Sequence, residues 1–272
     1  MERTDANSIL VRIHEALEAA GTTLAAFVPG AVPSSQKSSG RGPVTEADRA
    51  VNRVLRDILL RDGEGWLSEE SVDDLDRLEK SRVWIVDPLD GTLEFITGIP
   101  EWCVSIGWIE NGHAVAGGIY NPMTRERFLG SLETGVTYNG SLVTASKKDR
   151  LSGALVLASR SEVKRGEWDD FKNAPFVVRP MGSVAYKLAL VAAGLADATW
   201  TLSPKNEWDI AAGVALIESA GGFVRNLENS PLTFNRRSSL LSGLIAGGAC
   251  LREEISDLLS GSLPQRTTRA IR

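Results

Sequence analysis

Residues 84–95, WIVDPLDGTLEF, constrain the fold of this chain more than any other segment of its sequence. They begin as an apolar run typical of a buried strand, and two aspartates, Asp87 and Asp90, end that run. The proline between the aspartates stiffens the turn, and the glycine after them supplies conformational freedom. Both carboxylates, with the carbonyl of Leu89 between them, can therefore face one ion. Oxygen ligands with no histidine or cysteine nearby favour a hard cation such as Mg²⁺ over zinc.

Further acidic residues lie where predicted elements begin or end. Asp48 lies in PVTEAD, Glu69 and Glu70 follow the apolar run of WLSEES, and Asp209 lies at a helix start in EWDIAAG. Each also has a purely structural interpretation, because helix-start aspartates are commonly N-caps, DPLDG forms a good turn, and paired glutamates after a strand are commonly solvated. Gathering all these carboxylates in one place is unfavourable unless a cation binds. The residues alone leave both interpretations open.

The pattern of apolar residues changes near residue 150. Residues 6–28 have the spacing of an amphipathic helix, and later strand-like runs carry Asn-Gly hairpin signals at 111–112 and 139–140. We therefore predict an N-terminal α+β domain over residues 1–150, with an antiparallel sheet and the metal-binding residues. Strands and helices alternate afterwards, which predicts a C-terminal α/β domain over residues 151–272.

Two segments are predicted to be irregular. Residues 29–43 are rich in Gly, Pro and Ser, which is typical of a mobile loop. The last ten residues, LPQRTTRAIR, are basic and polar, and we expect them to fray.

Charge and cysteine usage limit the classes of function. The formal net charge is −5 and the pI about 5.3, which argues against a nucleic acid polymer as partner, because such binding needs a basic surface. A small anionic ligand remains compatible, since a bound cation reverses the local field. Two cysteines are too few for a disulfide framework, and we see neither a signal peptide nor an apolar stretch of about 18 residues. We therefore expect a cytoplasmic protein that does not bind membranes.

Five motifs resemble the inositol monophosphatase superfamily in order and approximate spacing. WIVDPLDGTLEF resembles its first signature and EWDIAAGVALIESAGG its second, and GPVTEADRAVNRVL, WLSEES and MGSVAYKLALVAAGLADA match its remaining blocks. The resemblance implies an α/β fold, the layered αβαβα sandwich of the inositol monophosphatase and fructose-1,6-bisphosphatase type. It also implies a Mg²⁺-dependent, typically lithium-sensitive phosphomonoesterase that acts on a small phosphorylated metabolite and is often a homodimer.

Carried over position by position, the resemblance implies a role for each acidic residue. Two or three Mg²⁺ ions would be held by carboxylates and one carbonyl, those of Glu69, Asp87, Leu89, Asp90 and Asp209. Thr92 and Asp48 would orient and deprotonate the attacking water, with Glu69 also counted among the catalytic residues. Glu70 is a possible further member that orients its neighbours.

The resemblance also implies residues that bind the substrate. The backbone amides of Gly91 and Thr92 would hold phosphate oxygens where a helix begins. Substrate contacts are further expected from Ser183, Lys187 and Asp209, and possible ones from Arg160 and Lys205. The alternatives are that Lys187 and Lys205 are solvated surface lysines and that Arg160 pairs with Glu162.

Details of the motifs resemble the CysQ-like 3′(2′),5′-bisphosphate nucleotidase branch. Leu89 and Glu94 in DPLDGTLEF, the stretch ASRSE and Lys187 match that branch, and Leu202 replaces a glutamate that binds inositol hydroxyls in animal enzymes. The leading hypothesis is therefore removal of the 3′-phosphate of adenosine 3′,5′-bisphosphate. The alternative is an inositol-1-phosphate or other sugar-phosphate phosphatase, and a more remote one is a non-catalytic relative that binds a phosphometabolite.

Overall fold

The computed structural model describes residues 5–36 and 43–262. Within them the α-helices are α1 Ala6–Leu24, α2 Glu46–Leu59, α3 Thr92–Thr97, α4 Arg160–Lys164, α5 Val184–Ala192, α6 Glu207–Ser219 and α7 Arg252–Ser262. Short 3₁₀ turns cover Asp76–Glu79, Asp169–Phe171 and Ala249–Leu251. No helix in these two ranges is both long enough and apolar enough to span a bilayer.

The strands follow the same chain order. They are β1 Ser34–Gln36, β2 Pro43–Thr45, β3 Gly65–Ser68, β4 Arg82–Asp90, β5 Cys103–Glu110, β6 His113–Asn121, β7 Glu126–Ser131, β8 Gly135–Tyr138, β9 Ser141–Val143, β10 Leu155–Ser159, β11 Val177–Met181, β12 Ala198–Thr201, β13 Lys205–Asn206, β14 Gly222–Arg225, β15 Leu240–Leu241 and β16 Leu244–Gly248.

Two sheets form the frame of the molecule. The first has seven strands in the sequential order β3 to β9, in which β3 is parallel to β4 and all later neighbours are antiparallel. Asn111 and Asn139, the first residues of the two Asn-Gly pairs, have positive φ values of 50° and 46° at the turns β5–β6 and β8–β9, as tight hairpins require. The second sheet has the order β11-β10-β12-β16-β14, with β10 parallel to both its neighbours and β16 antiparallel to both of its own.

Helices cover the faces of both sheets. Helices α1 and α2 pack on one face of the first sheet, α5 and α6 fill the space between the sheets, and α7 packs on the outer face of the second. This order of layers confirms the α/β layered sandwich predicted from the sequence. The apolar cluster around α5 and α6 takes residues from both sides of residue 150, including Ile109, Ile119, Ile210 and Leu216. The division into two domains at that residue stays a prediction.

Two boundaries differ from the sequence-based expectation. The first helix ends at Leu24 rather than residue 28. Part of the expected loop 29–43 is strand, because Ser34–Gln36 pairs antiparallel with Pro43–Thr45. The rest of that prediction at residues 37–42, and the predicted fraying of residues 263–272, lie outside the described residues.

Helix α6 approaches the first sheet at backbone contact distance. A Cβ atom added to Gly117 would lie 2.6 Å from the carbonyl oxygen of Ala212, and one added to Gly107 would lie 2.8 Å from the Cβ of Ala211. Only glycine permits this approach. The start of α6 is thereby fixed close to β4 and its terminal aspartates.

Candidate metal site and active site

A cavity of about 260 Å³ opens at the end of β4, where the first turns of α3, α4, α5 and α6 meet. Most of the predicted site residues line it, namely Glu69, Asp87, Leu89, Asp90, Gly91, Thr92, Arg160, Ser183, Lys187, Lys205 and Asp209. Asp48 reaches the cavity through a hydrogen bond with Thr92, and Glu70 adjoins Glu69. The structure therefore brings together residues that are up to about 160 positions apart in the sequence.

Three carboxylates converge at the bottom of the cavity. Asp87, Asp90 and Asp209 each offer an oxygen, and these three atoms lie within 4.8 Å of one another. Asp87 and Asp90 are buried at the end of β4, and Asp209 is the third residue of α6. The Oδ1 atom of Asp87 also accepts a 3.0 Å hydrogen bond from the backbone amide of Leu89, which closes the turn between the two β4 aspartates.

Asp90 is held from the other half of the chain. Its Oδ2 atom accepts hydrogen bonds from the Ser183 hydroxyl and from the backbone amide of Ala185, both at 2.6 Å. Ser183 is the N-cap of α5 and has a positive φ of 48°. Both hydrogen bonds fall on Oδ2, so Oδ1 is the oxygen that this arrangement leaves available to a cation.

Burial perturbs the acid–base behaviour of this cluster. Removal from solvent, together with the neighbouring charges of Asp90 and Glu69, raises the pKa of Asp209 to about 8. Burial likewise raises the pKa of Asp90, although Ser183 and Ala185 oppose the shift. Without a cation, Asp90 and Asp209 therefore bind protons more tightly than free carboxyl groups do. A set of oxygen-only donors, in which Asp90 and Asp209 have raised pKa values, fits Mg²⁺, which would compensate the charges that the chain brings together.

Asp48 serves two purposes at the start of α2. Its Oδ2 atom accepts hydrogen bonds from the amide of Thr45 at 2.8 Å and from the Thr45 hydroxyl at 2.6 Å, which completes a capping box. Its Oδ1 atom accepts a hydrogen bond from the Thr92 hydroxyl at 3.1 Å. Asp209 caps α6 in the same way, through a 2.8 Å bond from the Asn206 amide to its Oδ2 atom. The capping interpretation thus holds for both side chains, and it does not exclude the predicted role of either at the cavity.

Thr92 links Asp48 to the turn of the first motif. Its hydroxyl oxygen lies 3.1 Å from Asp48 Oδ1 and 3.2 Å from the carbonyl oxygen of Leu89, so its single proton has two competing acceptors. Gly91 precedes it with φ of 98°, and a Cβ there would lie 2.9 Å from the carbonyl oxygen of Glu101. Burial raises the pKa of Asp48, which moves this carboxylate towards the range of a general base.

Asn52 fixes the segment that carries Glu69 and Glu70, and the sequence analysis did not identify it. Its amide nitrogen donates to the Ser71 hydroxyl at 3.1 Å, and its amide oxygen accepts from the Ser68 hydroxyl at 2.7 Å. The spacing from Asp48 could have indicated this, since residues four apart share one face of a helix.

The cationic side of the cavity differs from the sequence-based alternatives. Arg160 pairs with Glu101, and its Nε lies 3.9 Å from Glu94 Oε1, so the suggested pairing of Arg160 with Glu162 is wrong. Glu162 is instead buried, and its Oε1 atom accepts a hydrogen bond from Lys205 Nζ at 3.1 Å. Glu101 lies 59 residues from Arg160, and Glu162 lies 43 residues from Lys205. The sequence therefore carries no local signal for either pair.

Lys187 is buried rather than solvated. Only 4 % of it is exposed, which overturns the interpretation of this residue as a surface lysine. Its Nζ lies 2.7 Å from the carbonyl oxygen of Ser183, 3.3 Å from that of Gly182 and 3.4 Å from that of Met181. Burial lowers the pKa of Lys187 to about 8, against the opposing attraction of Asp90.

Known proteins share both the sequence pattern and the layered fold. Residues 7–259 match the family described as the inositol monophosphatase family. The fructose-1,6-bisphosphatase/inositol-1-monophosphatase of Thermotoga maritima is 30% identical over 229 residues, which cover 79% of this chain and 84% of that protein.

Solved structures give the same picture. The inositol monophosphatase from Anabaena superposes with a TM-score of 0.79 at 29% identity, covering 95% of this chain and 97% of that one. CysQ from Bacteroides thetaiotaomicron superposes with a TM-score of 0.75 at 28% identity, covering 91% and 99%. Identities of 29% and 28% do not favour one branch over the other, so the CysQ-like assignment stays a prediction.

Proposed function

The chain belongs to the inositol monophosphatase family, and we propose that it is a Mg²⁺-dependent phosphomonoesterase that hydrolyses a small phosphorylated metabolite with an activated water. The observation that carries this proposal is the convergence of Asp87, Asp90 and Asp209 within 4.8 Å at the bottom of a cavity. Three carboxylates so placed, two of them buried, are unfavourable without a cation, and the cavity beside them leaves room for a small ester.

We assign the metal ligands from the residues that line the cavity. Two or three Mg²⁺ ions would be held by the side chains of Glu69, Asp87, Asp90 and Asp209 and by the carbonyl of Leu89. When bound, Mg²⁺ would neutralise the phosphate dianion, lower the pKa of a water molecule and stabilise the leaving oxygen.

The chain's own groups would orient the water and take its proton. The Thr92 hydroxyl donates to Asp48 Oδ1, so its oxygen is left to accept a hydrogen bond from the water. Asp48 Oδ1 would take the Thr92 hydroxyl proton while the Thr92 oxygen takes one proton from the water, and burial of Asp48 favours this transfer by raising its pKa. The amides of Gly91 and Thr92, at the start of α3, would hold oxygens of the phosphate.

Hydrolysis of p-nitrophenyl phosphate during a Mg²⁺ titration tests the reaction class. We expect activity that rises with Mg²⁺, disappears with a chelator and returns when the ion is restored. Activity that survives complete removal of divalent ions would refute the proposed mechanism. The same titration separates an enzyme from a non-catalytic relative, which the presence of Asp48, Thr92 and the metal-ligand set disfavours.

For the substrate we propose the 3′-phosphate of adenosine 3′,5′-bisphosphate first. Glu94, Arg160 and Lys205 all line the cavity, and the two cations would face a second phosphate. The second candidate is inositol 1-phosphate or another sugar phosphate. It is favoured by the pairing of both cations with glutamates, which reduces the charge left for a second phosphate. Leu202 supports neither candidate geometrically, because it is not part of the cavity wall in the described ranges.

A substrate panel at one Mg²⁺ concentration decides between the candidates. We expect kcat/KM for adenosine 3′,5′-bisphosphate to exceed that for inositol 1-phosphate. Equal or better turnover of the inositol ester would reverse the order. We further propose a cytoplasmic, lithium-sensitive homodimer, which inhibition by Li⁺ and the mass of the protein in light scattering would test.

A further inference from the structure

The ammonium group of Lys187 contacts the backbone beside the cavity. Its Nζ lies within 3.4 Å of three consecutive carbonyl oxygens, those of residues 181–183. An ammonium group has three N–H donors, and three acceptors satisfy them. A phosphate would have to displace a backbone carbonyl to bind this lysine. The geometry therefore indicates that Lys187 binds the backbone of its own chain rather than a substrate.

The segment that Lys187 holds also holds Asp90. Ser183 accepts from Lys187 through its carbonyl at 2.7 Å and donates to Asp90 Oδ2 through its hydroxyl at 2.6 Å. Its positive φ of 48° is uncommon for a residue with a side chain, and such conformations persist only when their surroundings determine them. On the other side the amide of Gly182 donates to Glu101 Oε2 at 2.8 Å. Lys187 thus binds the carbonyl oxygens of this segment, and Glu101 accepts a hydrogen bond from one of its amide groups.

We propose that Lys187 is a positioning residue of the metal site, which holds residues 181–183 so that Ser183 orients the Asp90 carboxylate for the cation. This inference rests on the proposed function, since it requires that Asp90 binds a divalent ion. It differs from a substrate role, because the effect passes through Ser183 to the ion rather than to the ester.

Charge and positioning make opposite predictions for loss of this lysine. The ammonium groups of Lys187 and Lys205 both act on the Asp90 carboxylate by Coulomb attraction. If charge alone mattered, removing either lysine would relieve repulsion of the incoming ion and tighten its binding. If Lys187 positions Asp90, its removal weakens binding even though a positive charge has gone. Lys205 provides the matched control, because its hydrogen bond goes to Glu162 rather than to the 181–183 backbone.

Direct binding of Mn²⁺, followed by the electron paramagnetic resonance of the free ion without substrate, tests the inference. We expect Lys187→Met to raise the dissociation constant about tenfold, at the low end of the effect of groups that orient metal ligands. Lys205→Met should leave it unchanged or lower it. An unchanged or lower dissociation constant in Lys187→Met would overturn the inference, whereas absence of Mn²⁺ binding by the unmodified protein would overturn the proposed function instead.

A double-mutant cycle identifies the route of the effect. In a Ser183→Ala background the further change Lys187→Met should have little effect, because the link to Asp90 is already lost. Full additivity of the two changes would contradict the route through Ser183. If Lys187→Met does not fold, Lys187→Gln against Lys205→Gln gives the same comparison, and equal Mn²⁺ affinities would overturn the inference.

Steady-state kinetics separate positioning from substrate binding. We expect Lys187→Met to require more Mg²⁺ for half-maximal activity, with KM at saturating Mg²⁺ changed equally for adenosine 3′,5′-bisphosphate and inositol 1-phosphate. A KM increase confined to the bisphosphate, with Mn²⁺ affinity unchanged, would assign the lysine to the second phosphate and refute the inference.

Discussion

Two buried groups of charged residues in this molecule are built in opposite ways. Near the N-terminus, Glu64 is enclosed by donors: Arg12 binds it through two nitrogens at 2.8 and 2.7 Å, and the Trp84 indole donates at 2.9 Å. At the cavity, Asp87, Asp90 and Asp209 face one another within 4.8 Å. The Glu64 carboxylate is therefore paired with donors, whereas the three aspartate carboxylates lie next to one another.

The direction of the pKa shift records this difference. Burial raises the pKa of Glu64, but hydrogen bonds from Arg12 and Trp84 outweigh it and leave the pKa below the ordinary value of 4.5. Burial and the neighbouring charges of Asp90 and Glu69 together raise the pKa of Asp209 to about 8. Glu64 has its counter-charge in direct contact, whereas the three aspartates face one another, and we expect a bound cation to compensate their charges. Carboxyl groups with raised pKa values beside a cavity are typical of a functional site.

Removal of one charge from the cavity cluster should have the largest effect on activity. We expect Asp90→Asn to lower kcat/KM about 1,000-fold or more, because several kcal/mol of charge stabilisation depend on the bound ion. The free energy of unfolding without metal should stay unchanged or rise, because like-charge repulsion falls. Activity assays and urea denaturation check both statements. Near-normal turnover by this variant would remove Asp90 from the metal site.

Added Mg²⁺ should stabilise the cavity cluster and leave the Glu64 group unaffected. At about 100 times its dissociation constant, an ion that binds only the folded protein adds about 2.7 kcal/mol to the free energy of unfolding. We expect this increment in the unmodified protein and in Glu64→Gln, and a much smaller one in Asp90→Asn. Denaturation curves with and without the ion measure it, and equal increments in all three proteins would place the bound ion elsewhere.

Loss of the paired carboxylate should destabilise the fold and spare the chemistry. Glu64→Gln removes charge-assisted hydrogen bonds to Arg12 and leaves its guanidinium buried without a counter-charge, which we expect to cost about 2 kcal/mol. Turnover at saturating Mg²⁺ should be unchanged at temperatures where the variant is folded. A loss of turnover equal to that of Asp90→Asn would abolish the distinction between the two groups.

Acid should weaken the Glu64 group by a smaller amount. Because its folded-state pKa lies below 4.5, its contribution is fully present above about pH 4.5 and is lost as the pH falls through the lower folded value. We therefore expect stability to decrease with falling pH in the unmodified protein and to decrease less in Glu64→Gln. Urea denaturation at a series of pH values checks this, and identical profiles would show that Glu64 does not titrate in this range.

The acidic side of the site could be predicted because its information is local. The turn around Asp87 and Asp90 is contained in six residues, DPLDGT, and the helix starts at Asp48 and Asp209 carry their own capping signals. The layered fold followed from five motifs in order. The parallel pairing of β3 with β4 was not indicated, because it depends on a contact between strands separated by a long connection.

The cationic side could not be predicted from the sequence to the same extent. The partner of Arg160 lies 59 residues away, so the sequence offered only the nearer Glu162. The contact of Lys187 with Ser183 spans four residues, yet Ser183 has a positive φ, which a serine at that position does not signal. Sequence spacing predicts which residues can lie close together. It does not predict which of them already form hydrogen bonds with other groups of the chain.

The backbone contact between α6 and the first sheet has a consequence for how such a protein can diverge. No layer of side chains lies between Ala212 and Gly117, so nothing there can be enlarged, trimmed or repacked without moving the helix. This contact therefore keeps the distance between Asp209 and β4 from changing when residues of the surrounding core are substituted. The opposite wall, with Arg160 and Lys205, carries no such restriction. Substitutions can therefore accumulate on that wall while the spacing of the carboxylate oxygens of Asp87, Asp90 and Asp209 is retained.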